Sequence, residues 1–63
     1  MKITKVLVVE DHDLTRLGIK LTVEKIDGLK VVAETGLGKE ALDLAKQSGA
    51  ELVLLDIGLP DLD

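Results

Sequence analysis

Lys5-Val6-Leu7-Val8-Val9-Glu10-Asp11-His12-Asp13 is the stretch whose reading decides the fold. An apolar, mostly β-branched run gives way abruptly to four polar residues, which reads as a buried strand followed by a polar loop. A strand covered on both faces needs helices above and below it, so helices and further strands should alternate along the rest of the chain. Asp13 is a good N-cap, and the helix that follows is predicted to run to about Lys25. Leu14, Leu17 and Leu21, with Gly18 beside them, share one face of it. Ile19, Val23 and Ile26 form a second stripe well round the same helix, so this element carries apolar surface in two directions and one side needs a second partner.

Asp27-Gly28 closes the helix, and Leu29 to Ala33 is predicted as a second strand centred on Val31 and Val32. Thr35-Gly36-Leu37-Gly38 reads as a loop. Strong helix formers from Lys39 to Gln47, with Gly49 as a C-terminal stop, predict a second helix. Glu51 to Ile57 returns to strand, and the consecutive apolar residues Leu52 to Leu55 are those expected where helices cover both faces of a parallel sheet. Gly58-Leu59-Pro60-Asp61 ends it. This order implies right-handed crossovers and a three-stranded parallel sheet in one α/β domain over residues 1–63, with no repeat, linker or low-complexity segment.

A chain of 63 residues with 46% hydrophobic and 32% charged side chains has the balance of a folded globular domain, but one small enough for its stability to be marginal. It contains no Phe, Tyr or Trp, so the core must be aliphatic and no aromatic platform is available for stacking bases. A net charge of -4 argues against direct nucleic-acid binding, which needs clustered cations. Without Cys there is no disulfide, thiolate metal site or thiol nucleophile, which suits the cytoplasm. The N-terminal apolar run is too short for a signal peptide, and no stretch is long enough to cross a bilayer.

Carboxylates cluster at the strand ends. In parallel α/β sheets, ligands gather beyond the carboxyl ends of the strands. Glu10 and Asp11 follow the first strand and Asp56 lies near the end of the third, so placing those strands side by side would gather all three groups. Such an oxygen-rich cup suits Mg2+, which takes carboxylate oxygens and bridges to phosphate. Asp56 could then act as a carboxylate nucleophile. The bland alternative is a set of solvated loop acids. Gly36-Leu37-Gly38-Lys39 superficially suggests a phosphate loop, but its spacing fails and a turn before the second helix is the ordinary reading.

Val8-Val9-Glu10-Asp11-His12, the apolar run Leu52-Val53-Leu54-Leu55 and the element Asp56-Ile57-Gly58-Leu59-Pro60-Asp61 together resemble the receiver domains of bacterial response regulators. Val31-Val32-Ala33-Glu34 and Gly38-Lys39-Glu40-Ala41-Leu42 resemble the second strand and second helix of the NarL/FixJ subfamily. The resemblance implies a flavodoxin-like doubly wound fold, represented by its N-terminal half with strand order 2-1-3. It implies that Asp56 is the phosphoacceptor for a sensor histidine kinase and that Glu10, Asp11, Asp56 and the Gly58 carbonyl oxygen hold Mg2+. Pro60 would shape the following loop, and His12 is expected to be an exposed loop side chain without a catalytic role.

Complete receivers continue with two more strands, a hydroxyl residue, a lysine and a switch aromatic, so this chain is expected to be a truncated receiver. Its third strand would then be an open edge, and the Ile19, Val23 and Ile26 stripe would lose cover. Association with a second copy through that strand is the expected remedy. A phosphoacceptor signalling module, and not an enzyme, is the leading reading. The alternative is a truncated or engineered half-domain that self-assembles without signalling, and a standalone hydrolase is weaker because no general base or substrate pocket is evident. The resemblance also implies a DNA-binding output domain elsewhere in a full-length protein.

Overall fold

The structure, a computed structural model, describes residues 2–55. Strand β1 (Thr4–Val9) leads to helix α1 (Asp13–Glu24), strand β2 (Leu29–Thr35), a single 3-10 turn at Gly38–Glu40, helix α2 (Ala41–Ser48) and strand β3 (Leu52–Leu55). All pairing is parallel and the spatial order is β2-β1-β3, so β1 is central, as the resemblance implies.

The central strand is apolar without alternation because it meets a helix on each face. Val6 and Val8 point to the α1 side, where they are buried with Val23 and packed by Ile19, Leu29, Val31 and Leu54. Leu7 and Val9 point to the opposite side, against Ala33, Ala41, Leu44, Ala45 and Ala50. The two half-cores differ in kind: branched side chains fill the α1 side, whereas small alanines let α2 and its flanks come close to Leu7.

Strand β2 is longer than the sequence suggests. Thr35, expected in a loop, is its last residue and is buried, pairing with Val9. Its hydroxyl accepts from the Leu37 N–H (3.1 Å) and bonds to the Glu40 carboxylate, so the polar side chain is satisfied inside the structure. A bulge makes the extra length possible. Val6 pairs with Val31 but Leu7 pairs with Ala33, leaving Val32 unmatched. The extra residue lets Val31 join the α1 half-core and Ala33 the α2 half-core although only Val32 separates them.

The helices correct the sequence reading in three places. Asp13 is the first helical residue and not the cap: His12 occupies the N-cap in an extended conformation with no side-chain capping bond, and the Asp13 carboxylate is drawn instead to Arg16. Lys39 falls in the 3-10 turn, so α2 itself begins at Ala41. The stripe expected to lose cover is the wrong one in part, because Val23 is buried and Ile19 packs on the core, with only Ile26 of that set exposed. Leu14, Leu17 and Leu21 lie on the face turned from the sheet, Leu14 with 84% of its surface exposed. Gly49 does end α2 as expected, in the left-handed conformation at φ 74° that a side chain disfavours.

Strand β3 also departs from expectation. Leu52, Val53 and Leu55 read as doubly covered, yet each is exposed, because among the described residues β3 pairs with β1 alone. Between it and α1 runs an open apolar groove of about 500 Å³ lined by Thr15, Gly18, Ile19, Thr22, Val23 and Leu54.

Candidate functional site

The carboxyl end of β1 carries the acidic pair. Glu10 continues the sheet by one residue, its N–H donating to the Thr35 carbonyl at 3.0 Å, and the residue is only 4% exposed. A carboxylate so buried needs partners. Its Oε2 accepts from the His12 N–H at 3.0 Å and lies the same distance from the His12 Nδ1. The loop therefore turns back on itself just where α1 begins.

Asp11 is less buried, but its Oδ1 is shielded from solvent and accepts no well-formed hydrogen bond. The His12 Nδ1 stands 3.1 Å away, within ion-pair range though without hydrogen-bonding geometry. Ligand atoms from Glu10, Asp11 and His12 all lie within 4.8 Å of one another. A shielded carboxylate oxygen that accepts no hydrogen bond, next to a second carboxylate, is what a hard cation would satisfy, so the residues fit Mg2+. Glu10 and Asp11, neighbours in the chain, thus turn ligand atoms toward one small region. Asp56, Gly58 and Pro60 lie outside the described residues. His12 is mostly exposed, as predicted, yet its ring nitrogen faces both carboxylates, which its sequence position did not reveal.

A second residue escaped the sequence reading altogether. Arg16, one turn into α1, has a side chain only 19% exposed. Its Nη1 donates to the Glu10 carbonyl oxygen (2.8 Å), its Nε to Glu34 Oε1 (2.9 Å) and its Nη2 to Asp13 Oδ1 (2.8 Å). Glu34, on β2, is shared with Lys20, which contacts its other oxygen. The Glu34 carboxyl is held below its ordinary pKa by Lys20 first and Arg16 second, while Glu34 and then Asp13 raise the Arg16 guanidinium. The one available signal was the spacing of Asp13 and Arg16, which suits an ion pair on a helix.

Fold and site together define a parallel α/β module with a cation-fitting carboxylate cluster at the carboxyl end of its central strand. The chain belongs to the response regulator receiver domain family, whose match covers residues 6–63. It is 45% identical over 58 residues to the response regulator GacA of Pseudomonas syringae pv. syringae, a match covering 92% of this chain and 27% of that protein. The response regulator UvrY of Escherichia coli is 39% identical over 57 residues, covering 90% of this chain and 26% of UvrY. BvgA of Bordetella pertussis, named for positive transcription regulation of virulence factors, is 41% identical over 59 residues, covering 94% and 28%. These relatives are of the NarL/FixJ type, and the chain spans about a quarter of their length. No solved structure matches. Receiver domains are signalling modules of two-component systems. Among the described residues no helix is long and apolar enough to cross a membrane.

Proposed function

We propose that this chain is the phosphoacceptor part of a response regulator, in which Asp56 takes a phosphoryl group from a phosphohistidine of a sensor histidine kinase. Glu10, Asp11, the Asp56 carboxylate and the Gly58 carbonyl oxygen are the Mg2+ ligands in this reading. The observation that carries it is the parallel β1–β3 ladder, whose last described pair is Val9 with Leu55. The acidic pair follows the first of these residues in the chain and Asp56 follows the second.

In the transfer, a carboxylate oxygen of Asp56 attacks phosphorus, the phosphorus–nitrogen bond breaks, and the histidine ring leaves with the bonding electrons and takes up a proton. Bound Mg2+ supplies positive charge against the phosphoryl oxygens. Asp11 would offer the cation its shielded Oδ1, which accepts no hydrogen bond, while Glu10, already tied through Oε2 to the His12 N–H, fixes the loop from within. Incubation with acetyl phosphate and Mg2+ should add one phosphoryl group by mass, and Asp56→Asn should abolish the gain. An inert unmodified chain, or undiminished labelling of Asp56→Asn, refutes the reading.

In this reading the module works in the cytoplasm, a DNA-binding output domain belongs to the whole protein, and this chain itself makes no nucleic-acid contact. A second reading, of self-assembly through β3 without signalling, draws on the three exposed apolar residues of that strand and the groove beside it. Sedimentation across a concentration series separates an associating chain from a lone folded monomer.

A further inference from the structure

We infer that Arg16 is a positioning residue for the cation pair, holding the Glu10–Asp11 peptide so that both carboxylates converge; this deepens the proposed function and rests on it. The Glu10 carbonyl oxygen, to which Nη1 donates at 2.8 Å, belongs to the peptide unit that ends at the Asp11 nitrogen. Because that unit is planar, fixing its oxygen fixes where the Asp11 nitrogen and Cα lie, and so narrows the space its side chain can reach. The other side of Glu10 is anchored to the sheet through its own N–H and the Thr35 carbonyl. Glu10 is thereby gripped from both ends, by β2 on one side and α1 on the other.

The guanidinium is itself set in place by two carboxylates on different elements, Glu34 of β2 and Asp13 of α1, each at hydrogen-bonding distance. A planar fork with donors in fixed directions can meet three acceptors at once, and a lysine ammonium on a flexible stem cannot hold the same plane. The arrangement also settles an electrostatic difficulty. A cation beside a metal site would oppose the metal, but here Asp13 and Glu34 take up the Arg16 charge and leave that of Glu10 and Asp11 for the ligand. Gly36 completes the fit: a Cβ there would stand 3.3 Å from Arg16 Nη1 and 3.6 Å from both the Asp11 Cα and the Glu10 oxygen. The bare backbone leaves the guanidinium its slot against the acidic loop.

The test is a Mg2+ titration of the full chain followed through the backbone amide signals of Glu10, Asp11 and His12, with urea unfolding measured alongside. Loss of a group that orients a metal ligand weakens binding by about tenfold or more, so Arg16→Met should raise the Mg2+ Kd by at least that factor. Arg16→Lys should recover only part of it. Glu34→Gln, which leaves the Glu10 contact in place, should lower the urea midpoint but raise the Kd by less than about threefold, in line with an exposed ion pair. A folded Arg16→Met whose Kd stays within about twofold of the unmodified chain overturns the inference. If Arg16→Met does not fold, Arg16→Lys is held to the same criterion, and global unfolding of both assigns Arg16 to the fold instead. An unmodified chain that binds no Mg2+ removes both this inference and the proposed function. Mg2+ binding that depends on Arg16, without phosphoryl uptake at Asp56, leaves the inference standing and removes only the function.

Discussion

On its β2 flank, β1 is paired along all six of its residues, and side chains from α1 and β2 lock across the joint through Arg16, Lys20 and Glu34. On its β3 flank it is paired over four residues, and the partner strand is half in solvent. Hydropathy does not distinguish the two flanks, since Leu52-Val53-Leu54-Leu55 is at least as apolar as Val31-Val32-Ala33. What separates them is whether a second layer closes over the strand. Apolar sequence states the demand for cover, and only the neighbours supply it.

The sharpest way to break that contrast is to truncate one side chain on each flank. Leu7, fully buried beneath the alanines of α2, should lose about 2 to 5 kcal/mol of stability on change to Ala, comparable to the whole stability of a small domain. Val53→Ala, at 41% exposure, should cost roughly 1 kcal/mol or less. Urea unfolding followed by far-ultraviolet circular dichroism compares them, and equal losses would mean that β3 is covered in solution. A gentler intervention puts charge on the open flank. Val53→Lys should shift any self-association seen by sedimentation toward monomer while leaving the monomer's unfolding midpoint almost unchanged. An unmodified chain that sediments as a stable monomer at every concentration removes the association reading.

The smallest effect belongs to the locked flank. Glu34 has its pKa depressed by Lys20 and Arg16, so its contribution is fully present above the ordinary carboxyl value of 4.5 and is lost as pH falls through the lower folded value. Its carboxylate is partly exposed, which screens the pairs and limits the contribution to about 1 kcal/mol or less. Stability of the unmodified chain should therefore fall more steeply below that pH than stability of Glu34→Gln. Parallel pH profiles for the two would remove Glu34 from the account.

The central strand was legible because four consecutive apolar residues with no alternation, Val6 to Val9, admit few arrangements, and the parallel order followed from the crossovers and the family likeness. Glu10 and Asp11 were legible for the same reason, as the first polar residues after a buried run. The bulge was not: Val31 and Val32 are both β-branched, and a run of such residues gives no sign of where the pairing skips. Thr35 was hidden by the glycine after it, which made a strand end look like a loop start. The fate of the two α1 stripes turned on where the helix axis lies over the sheet, a tertiary quantity, so the leucine-rich stripe was left in solvent and the one bearing Ile19 and Val23 was drawn inward. Arg16 was not singled out at all, because Glu34, its partner eighteen positions away, comes beside it only on folding.

The unmatched Val32 acts as a change of parity within β2. Upstream of it, odd-numbered positions look toward α1; downstream, even-numbered ones do, which is how Glu34 comes to meet Arg16 and Lys20 while Thr35 turns to the other side. Grafting a perfectly regular strand into this place would invert the second half of β2. Glu34 would be delivered among the alanines beneath α2, and Arg16 would be left with one acidic companion in place of two.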